Sequence, residues 1–590
     1  MSKKAVKLKL PHVILLVIIL LVSLVICVIS LFALKKKNII QISNKIDDWK
    51  FENVEISNDI NKGVNSFSDA VSSASSPIDM SSSYSSSSNI GFSTGGSKDI
   101  NNFRENIENG YFPISTDITY NGLFYDYTFD TGNSTESTEL FSPSYSCAIS
   151  KDPISNIDEY YMTVGLNSNI KESDFSRKKL NLVVVLDISG SMGSSFNSYY
   201  YDNPFSEKKD KDKSKMQIAS ESVNILIDQL KDTDRFGVVL FDNNAYLGKP
   251  ISLVGETDME AIKEHILEIQ PGGGTNFEVG YTEATKLFED YNNIDSNEYE
   301  NRIIVITDAM PNYGSTSKNS LLSLVKDNST NGIYTTFIGV GVDFNTELTE
   351  AISDVKGSNY YSVHNSKEFK ERMGEQFEYM VTPLVFDLEL NLKSEDYEII
   401  AVYGSDTIDK SNGNIMNINT LFPSKTTHSG EVKGGVVLLK LNKKNDSNSG
   451  DLTLNVSYKN REGKVFSNSQ TVTFNSSYNE YYENTGIRKA IVLTRYANSL
   501  KNWILFERSE SDKFLIIPSK GITDCCYTEE QIAVLLGEHE RKSTSLSVSD
   551  SYKETFSKIK EYIEKENKKI KDDTINKEID ILNKLINFEN

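Results

Sequence analysis

Between residues 181 and 382 short, uninterrupted apolar runs alternate with amphipathic helical segments, and few folds accommodate that alternation. Leu182–Leu186, Phe236–Phe241, Ile303–Ile306 and Ile333–Val342 are rich in β-branched residues, as expected of strands covered on both faces. Between them, Met216, Ala219, Val223, Leu226, Ile227 and Leu230 recur at three- and four-residue spacing and share one helix face. Segments 258–270, 277–290 and 318–326 follow the same period. Strand–helix alternation of this kind predicts an α/β domain with a doubly wound, mostly parallel, Rossmann-like sheet.

At 590 residues the chain is too long for one hydrophobic core, and its flanks change pattern. Residues 111–180 read as strands. Leu123, Tyr125, Tyr127 and Phe129 alternate with Phe124, Asp126, Thr128 and Asp130, and Tyr160–Leu166 is a second strand candidate. Alternation returns over 383–480, in Phe386, Leu388, Leu390 and Leu392 and again in Leu452, Leu454, Val456 and Tyr458. That predicts an antiparallel β-sandwich, which the strands of the 111–180 region would complete, leaving 181–382 as an insert. Residues 481–590 read as helical. Ile487, Ala490, Ile491, Thr494, Ala497, Leu500 and Ile504 form one stripe. Phe556, Ile559 and Ile563, then Ile575, Ile579, Leu582 and Ile586, form two more, joined as a helical hairpin.

The N-terminus carries a different signal. Val13 to Leu34 contains no charge and is long enough to span a hydrocarbon core of about 30 Å as a helix. Lysines flank it on both sides, and residues 1–37 are expected to be an uncleaved transmembrane anchor. Residues 38–110, with runs such as Ser85-Ser86-Ser87-Ser88, read as a flexible serine-rich stalk. The expectation is a single-pass cell-membrane protein with the bulk of the chain outside the cell. The net charge of −21 argues against nucleic acid, whose phosphates such a surface repels. Outside the apolar run only Cys147, Cys525 and Cys526 remain. No C-x-x-C pair exists, and Cys147 either bridges to one of the vicinal pair or stays a free thiol.

Three loops carry the chemistry. The Leu182–Leu186 strand runs into Asp187-Ile188-Ser189-Gly190-Ser191, and the Ile303–Ile306 strand into Thr307-Asp308. Between them Gly272-Gly273-Gly274-Thr275-Asn276 precedes a helix. Ligands of a doubly wound sheet lie beyond the carboxyl ends of its strands, and all three loops fall at that edge. Asp187, Ser189, Ser191, Thr275 and Asp308 bring only oxygens, which suits a hard cation, Mg²⁺ or Ca²⁺. With two carboxylates the ion keeps an open, electrophilic position.

These five residues, with Val183-Val184-Val185-Leu186 and Ile306-Thr307-Asp308-Ala309-Met310-Pro311-Asn312 around them, resemble the metal-ion-dependent adhesion site of von Willebrand factor A domains. The resemblance implies that Ser189, Ser191 and Thr275 contact the metal directly and that Asp187 and Asp308 act partly through water. It further implies that a protein partner's acidic residue completes the shell. Ala309 departs from the family, whose members often have Gly there. The surrounding chain is similar to bacterial calcium-activated chloride channel homologues and, more distantly, to α2δ and inter-α-trypsin-inhibitor proteins. No G-x-S-x-G elbow, catalytic triad or P-loop occurs, so a non-enzymatic adhesion or surface-interaction protein is expected. The alternative is an accessory or assembly subunit of a membrane or ATPase-associated complex. Residues Ser194–Lys213 make a long insert after the first motif, either a plain surface loop or one whose Tyr199, Tyr200 and Tyr201 touch a partner beside the metal.

Overall fold

The computed structural model describes residues 45–53, 89–132, 139–202, 213–291, 298–363, 366–405, 407–409, 415–444, 451–474, 480–514 and 538–589. The Val13–Leu34 run and Ser85–Ser88 lie outside them, as do Cys525 and Cys526. Among the described residues no helix is long and apolar enough to cross a membrane.

The α/β unit is built on an eight-stranded sheet. Its spatial order is Glu52–Asn53, Ala245–Leu253, Arg235–Phe241, Lys179–Asp187, Tyr299–Thr307, Ile333–Val340, Asn359–Val363 and Gly96–Ser97. The first two pairings are antiparallel and the remainder parallel. The strands are apolar along both faces because helices cover both. Val184, Leu186 and Ile304 pack with Met216, Val223 and Phe377 on one side; Val183, Val185 and Ile303 pack with Phe277, Tyr281 and Leu321 on the other. The helices Lys215–Ile227, Met259–Glu268, Phe277–Lys286 and Lys318–Thr330 stand where the periodicity predicts them.

The six central strands of this unit, from Lys179–Asp187 to Asn359–Val363, are inserted in the chain between two strands of an antiparallel sheet, Asn167–Lys171 and Val385–Lys393, while its two edge strands Glu52–Asn53 and Gly96–Ser97 come from before the insert. That sheet also contains Val465–Thr473, Asp451–Asn460, Ile415–Ser424 and Asn89–Thr94. A second antiparallel sheet runs Tyr397–Tyr403, Val436–Lys443, Asp158–Gly165, Ser144–Lys151 and Tyr481–Tyr482. The two sheets share one core, in which Leu388, Leu390 and Leu454 meet Met162, Val164 and Leu439. Cys147 is buried in that core and unbridged among the described residues, with its two candidate partners, Cys525 and Cys526, outside them; burial pushes its pKa up. The other face of the second sheet is covered by the C-terminal helices. Ile487, Ile491, Trp503, Phe556 and Leu582 form a core with Ala148, Tyr161 and Leu438. Helices Asp550–Ile570 and Asn576–Ile586 form the expected hairpin, turned at Lys571 with φ 62°.

Two expectations are corrected. Leu123–Phe129 is not a strand: Tyr120–Tyr125 is a helix capped by the Thr119 hydroxyl, which accepts from Gly122 N at 3.0 Å. Only Thr128–Phe129 is extended, as a two-residue strand. Phe124 is buried as deeply as its neighbours Leu123 and Tyr125, so the two-residue alternation breaks within the helix, and only Asp126, Thr128 and Asp130 stay half-buried between buried neighbours. The 38–110 stalk is also too long as drawn. Asn89–Thr94 is a buried strand and Asn101–Glu108 a helix. Trp49 stacks on His265 at 5.5 Å, and Asp48 pairs with the buried Lys249 at 3.1 Å, fixing residues 45–53 to the α/β unit.

Candidate metal site

The Lys179–Asp187 strand ends at Asp187, whose carboxylate is fully buried. One oxygen accepts from Ser189 N at 2.9 Å and the other from the Thr307 hydroxyl at 2.6 Å. Those two bonds tie the first loop to the neighbouring strand. The Ser189 and Ser191 hydroxyls lie 3.1 Å apart, with Gly190–Gly193 as a single 3-10 turn. The glycine loop is stitched to the same place: Gly190 N donates to Gly273 O at 2.9 Å and Gly272 N to Ile188 O at 2.8 Å. Gly273 has φ +79°, and a Cβ there would stand 2.9 Å from an Asp242 carboxylate oxygen, so only glycine lets this loop close. Thr275 N donates to Asn312 Oδ1 at 2.9 Å, and Asn276 caps the following helix. All five residues of the motif are buried at the carboxyl edge of the sheet.

Asp308 is the most instructive of them. Its Oδ2 accepts from the ammonium of Lys215 at 3.0 Å, and Lys215 also lies 2.6 Å from Asp343. All three side chains have no solvent exposure. Burial opposes the charge on Lys215, but the two flanking carboxylates outweigh it and leave its pKa raised. Asp308 Oδ1 is buried and accepts no hydrogen bond among the described residues. Desolvation, followed by the Asp308 charge, pushes Asp187 up to about 7. Desolvation is also the largest influence on Asp308, whose pKa is raised despite Lys215.

The donor set fits a hard divalent cation. It supplies two carboxylates and three hydroxyls, has an unused carboxylate oxygen, and holds more buried negative than positive charge. Ser189, Ser191 and Thr275 would hold the ion directly with Asp187 and Asp308 behind them. Among the described residues no cluster of three or more His, Cys, Asp or Glu could hold a metal ion.

The tyrosines behave differently from one another. Tyr199 is buried within the chain, its hydroxyl donating to Asn106 Oδ1 at 2.8 Å and its ring edge-on to Tyr111 at 5.0 Å; it is therefore not a partner contact. Tyr200 N donates to Asp343 Oδ2 at 3.0 Å. Tyr201 stays partly exposed and donates its hydroxyl to Glu540. The sequence reading missed Lys215 and Asp343, and it placed Thr307 and Asn312 beside the motif without giving either a role. Asp343 follows the Ile333–Val340 strand, so the same strand-end rule would have found it. Lys215 opens a helix directly after the Ser214 cap, and nothing local distinguishes it from a solvated first-turn residue.

Residues 182–310 match the family model described as von Willebrand factor type A domain. The human inter-alpha-trypsin inhibitor heavy chain H2 is 23% identical over 215 residues, 36% of this chain and 21% of that protein. The Escherichia coli K12 protein YfbK, uncharacterized by name, is 24% identical over 217 residues, 36% of this chain and 33% of that one. This chain thus spans a fifth to a third of the length of these relatives. Among solved structures, a von Willebrand factor type A protein from Catenulispora acidiphila covers 62% of this chain and 82% of its own, at 15% identity and a TM-score of 0.38. The doubly wound sheet and the three loops at its carboxyl edge thus belong to the part of the chain, residues 182–310, that matches a von Willebrand factor type A domain.

Proposed function

We propose that this chain is a membrane-anchored, non-enzymatic surface protein. In this reading its type A domain binds Mg²⁺ or Ca²⁺ through Asp187, Ser189, Ser191, Thr275 and Asp308. Through that ion it engages an acidic residue of a protein partner. The observation that carries the reading is the buried Asp308 Oδ1, which accepts no hydrogen bond among the described residues beside an all-oxygen set. A buried carboxylate oxygen without a donor costs free energy, and a cation removes that cost. When bound, the ion would offer a partner's carboxylate an electrophilic position. The chain's own groups orient that position: Thr307 and Ser189 N fix Asp187, and Lys215 fixes Asp308. The uncharged Val13–Leu34 run supports the anchor, and the long chain behind it supports an outward-facing domain.

Calorimetric titration of the full chain with Mg²⁺ and Ca²⁺ tests the metal reading. Saturable binding is expected in the wild type and none in Asp308→Ala, with Thr275→Ala weakened and still folded. Wild type without saturable binding, or Asp308→Ala binding as well as wild type, sinks it. Antibody labelling of intact cells tests the orientation: an expressed chain that stays unlabelled until permeabilisation overturns outward exposure.

A further inference from the structure

A short C-terminal segment lies across the rim of the site. His539 O accepts from Asn345 Nδ2 at 2.9 Å, and His539 Nε2 lies 2.6 Å from Thr316 O. Arg541 donates to Phe344 O at 2.9 Å, and Ser543 N to Asp202 at 2.9 Å. Between these anchors stands Glu540. Its carboxylate accepts from Asn312 Nδ2 at 2.8 Å and from the Tyr201 hydroxyl. Asn312 reaches the other way too, because its Oδ1 accepts from Thr275 N. One amide side chain therefore separates Glu540 from the backbone of a motif residue. The anchoring groups come from the loops after Lys179–Asp187, Tyr299–Thr307 and Ile333–Val340, the three strand ends that surround the site.

The placement runs against charge. Asp187, Asp308 and Asp343 are already buried there against one buried ammonium, Lys215. A fourth carboxylate raises the local negative potential further; the neighbouring Arg541 donates to Phe344 O, lies 3.9 Å from Asp117 and offsets part of the Asp343 charge. Four anchors with no regular secondary structure hold an acid where acids repel. A divalent cation reverses that balance.

We infer that Glu540 is the chain's own acidic ligand for this site. Resting on the metal reading above, its carboxylate takes the open position that a partner's carboxylate would fill, and a partner engages by displacing the His539–Ser543 segment. The probe is Mn²⁺, which accepts the same oxygen donors. Binding is followed on the full chain by electron paramagnetic resonance, and the exchangeable waters on the ion by proton relaxation. Glu540→Ala removes a charged ligand and is expected to weaken Mn²⁺ binding about tenfold and to raise relaxivity as water enters. Glu540→Gln keeps an oxygen to accept from Tyr201 and Asn312, so the segment stays docked; it should fall between Ala and wild type. Affinity and relaxivity unchanged in both variants, while Asp308→Ala loses Mn²⁺, overturns the internal ligand and leaves the metal site standing. Wild type without Mn²⁺ binding overturns both.

Discussion

Asp187 and Asp308 end adjacent strands as fully buried acids, and their environment decides how they titrate. Burial and the Asp308 charge carry Asp187 from 3.8 to about 7. An acid whose folded pKa stands above its unfolded one holds an extra proton in the folded state between those values. Its stabilising contribution is present at low pH and is lost as pH rises through that window, by at most about 1.4 kcal/mol per unit. Chelator-treated wild type, measured against Asp187→Asn, should therefore lose relative thermal stability between pH 4 and 7. Divalent-ion affinity should climb over the same interval, because the ion displaces that proton. Melting curves at several pH values check the first statement and metal titrations the second; a flat wild-type-minus-variant difference contradicts the assignment. The motif residues themselves were legible in the sequence, since D-x-S-x-S, the glycine loop and Thr307-Asp308 each follow a strand. Lys215 was not. Its partners Asp308 and Asp343 come from two other strand ends, and a lysine after a helix cap carries no local sign of burial.

At the scale of single elements, the glycine loop is the most constrained. Gly273 combines a positive φ with a close approach to Asp242. Gly273→Ala is expected to cost about 1–3 kcal/mol through backbone strain and that contact, and to weaken metal binding by shifting Thr275. Denaturant unfolding and metal titration of the variant test this, and an unchanged midpoint and affinity contradict it. The helices and parallel strands of the α/β unit were readable because each buries a defined face, giving periods of 3.6 or continuous apolar runs. Tyr120–Tyr125 shows where that logic stops. It is packed on all sides, so Phe124 and Tyr125 give no polar face from which to read a period. Asn89–Thr94 failed for the opposite reason. Its sequence, Asn-Ile-Gly-Phe-Ser-Thr, is weakly apolar and continues a serine-rich tract, yet Ile90 and Phe92 are buried through pairing with Ile415–Ser424 and Asn167–Lys171.

Over the whole molecule, distant segments depend on one another. The sheet carrying Tyr161, Leu438 and Ala148 shares its core with Leu123, Phe124 and Phe129 and with residues beyond 480, above all Ile487, Ile491 and Trp503. A chain ending at residue 480 would expose that apolar face and is expected to aggregate; size-exclusion chromatography of the truncated protein checks this, and a soluble monomer contradicts it. What the sequence determined by itself was whatever a ten- to fifteen-residue window can encode: the parallel strands, the amphipathic helices, the helical hairpin and the five motif oxygens. Tertiary structure alone decided that residues 45–53 fasten to the α/β unit, that Lys215 lies between Asp308 and Asp343, and that Glu540 reaches Asn312 across 228 residues of chain. Such contacts follow from the summed packing of many elements, and no local periodicity or propensity records which remote surface a polar side chain will meet.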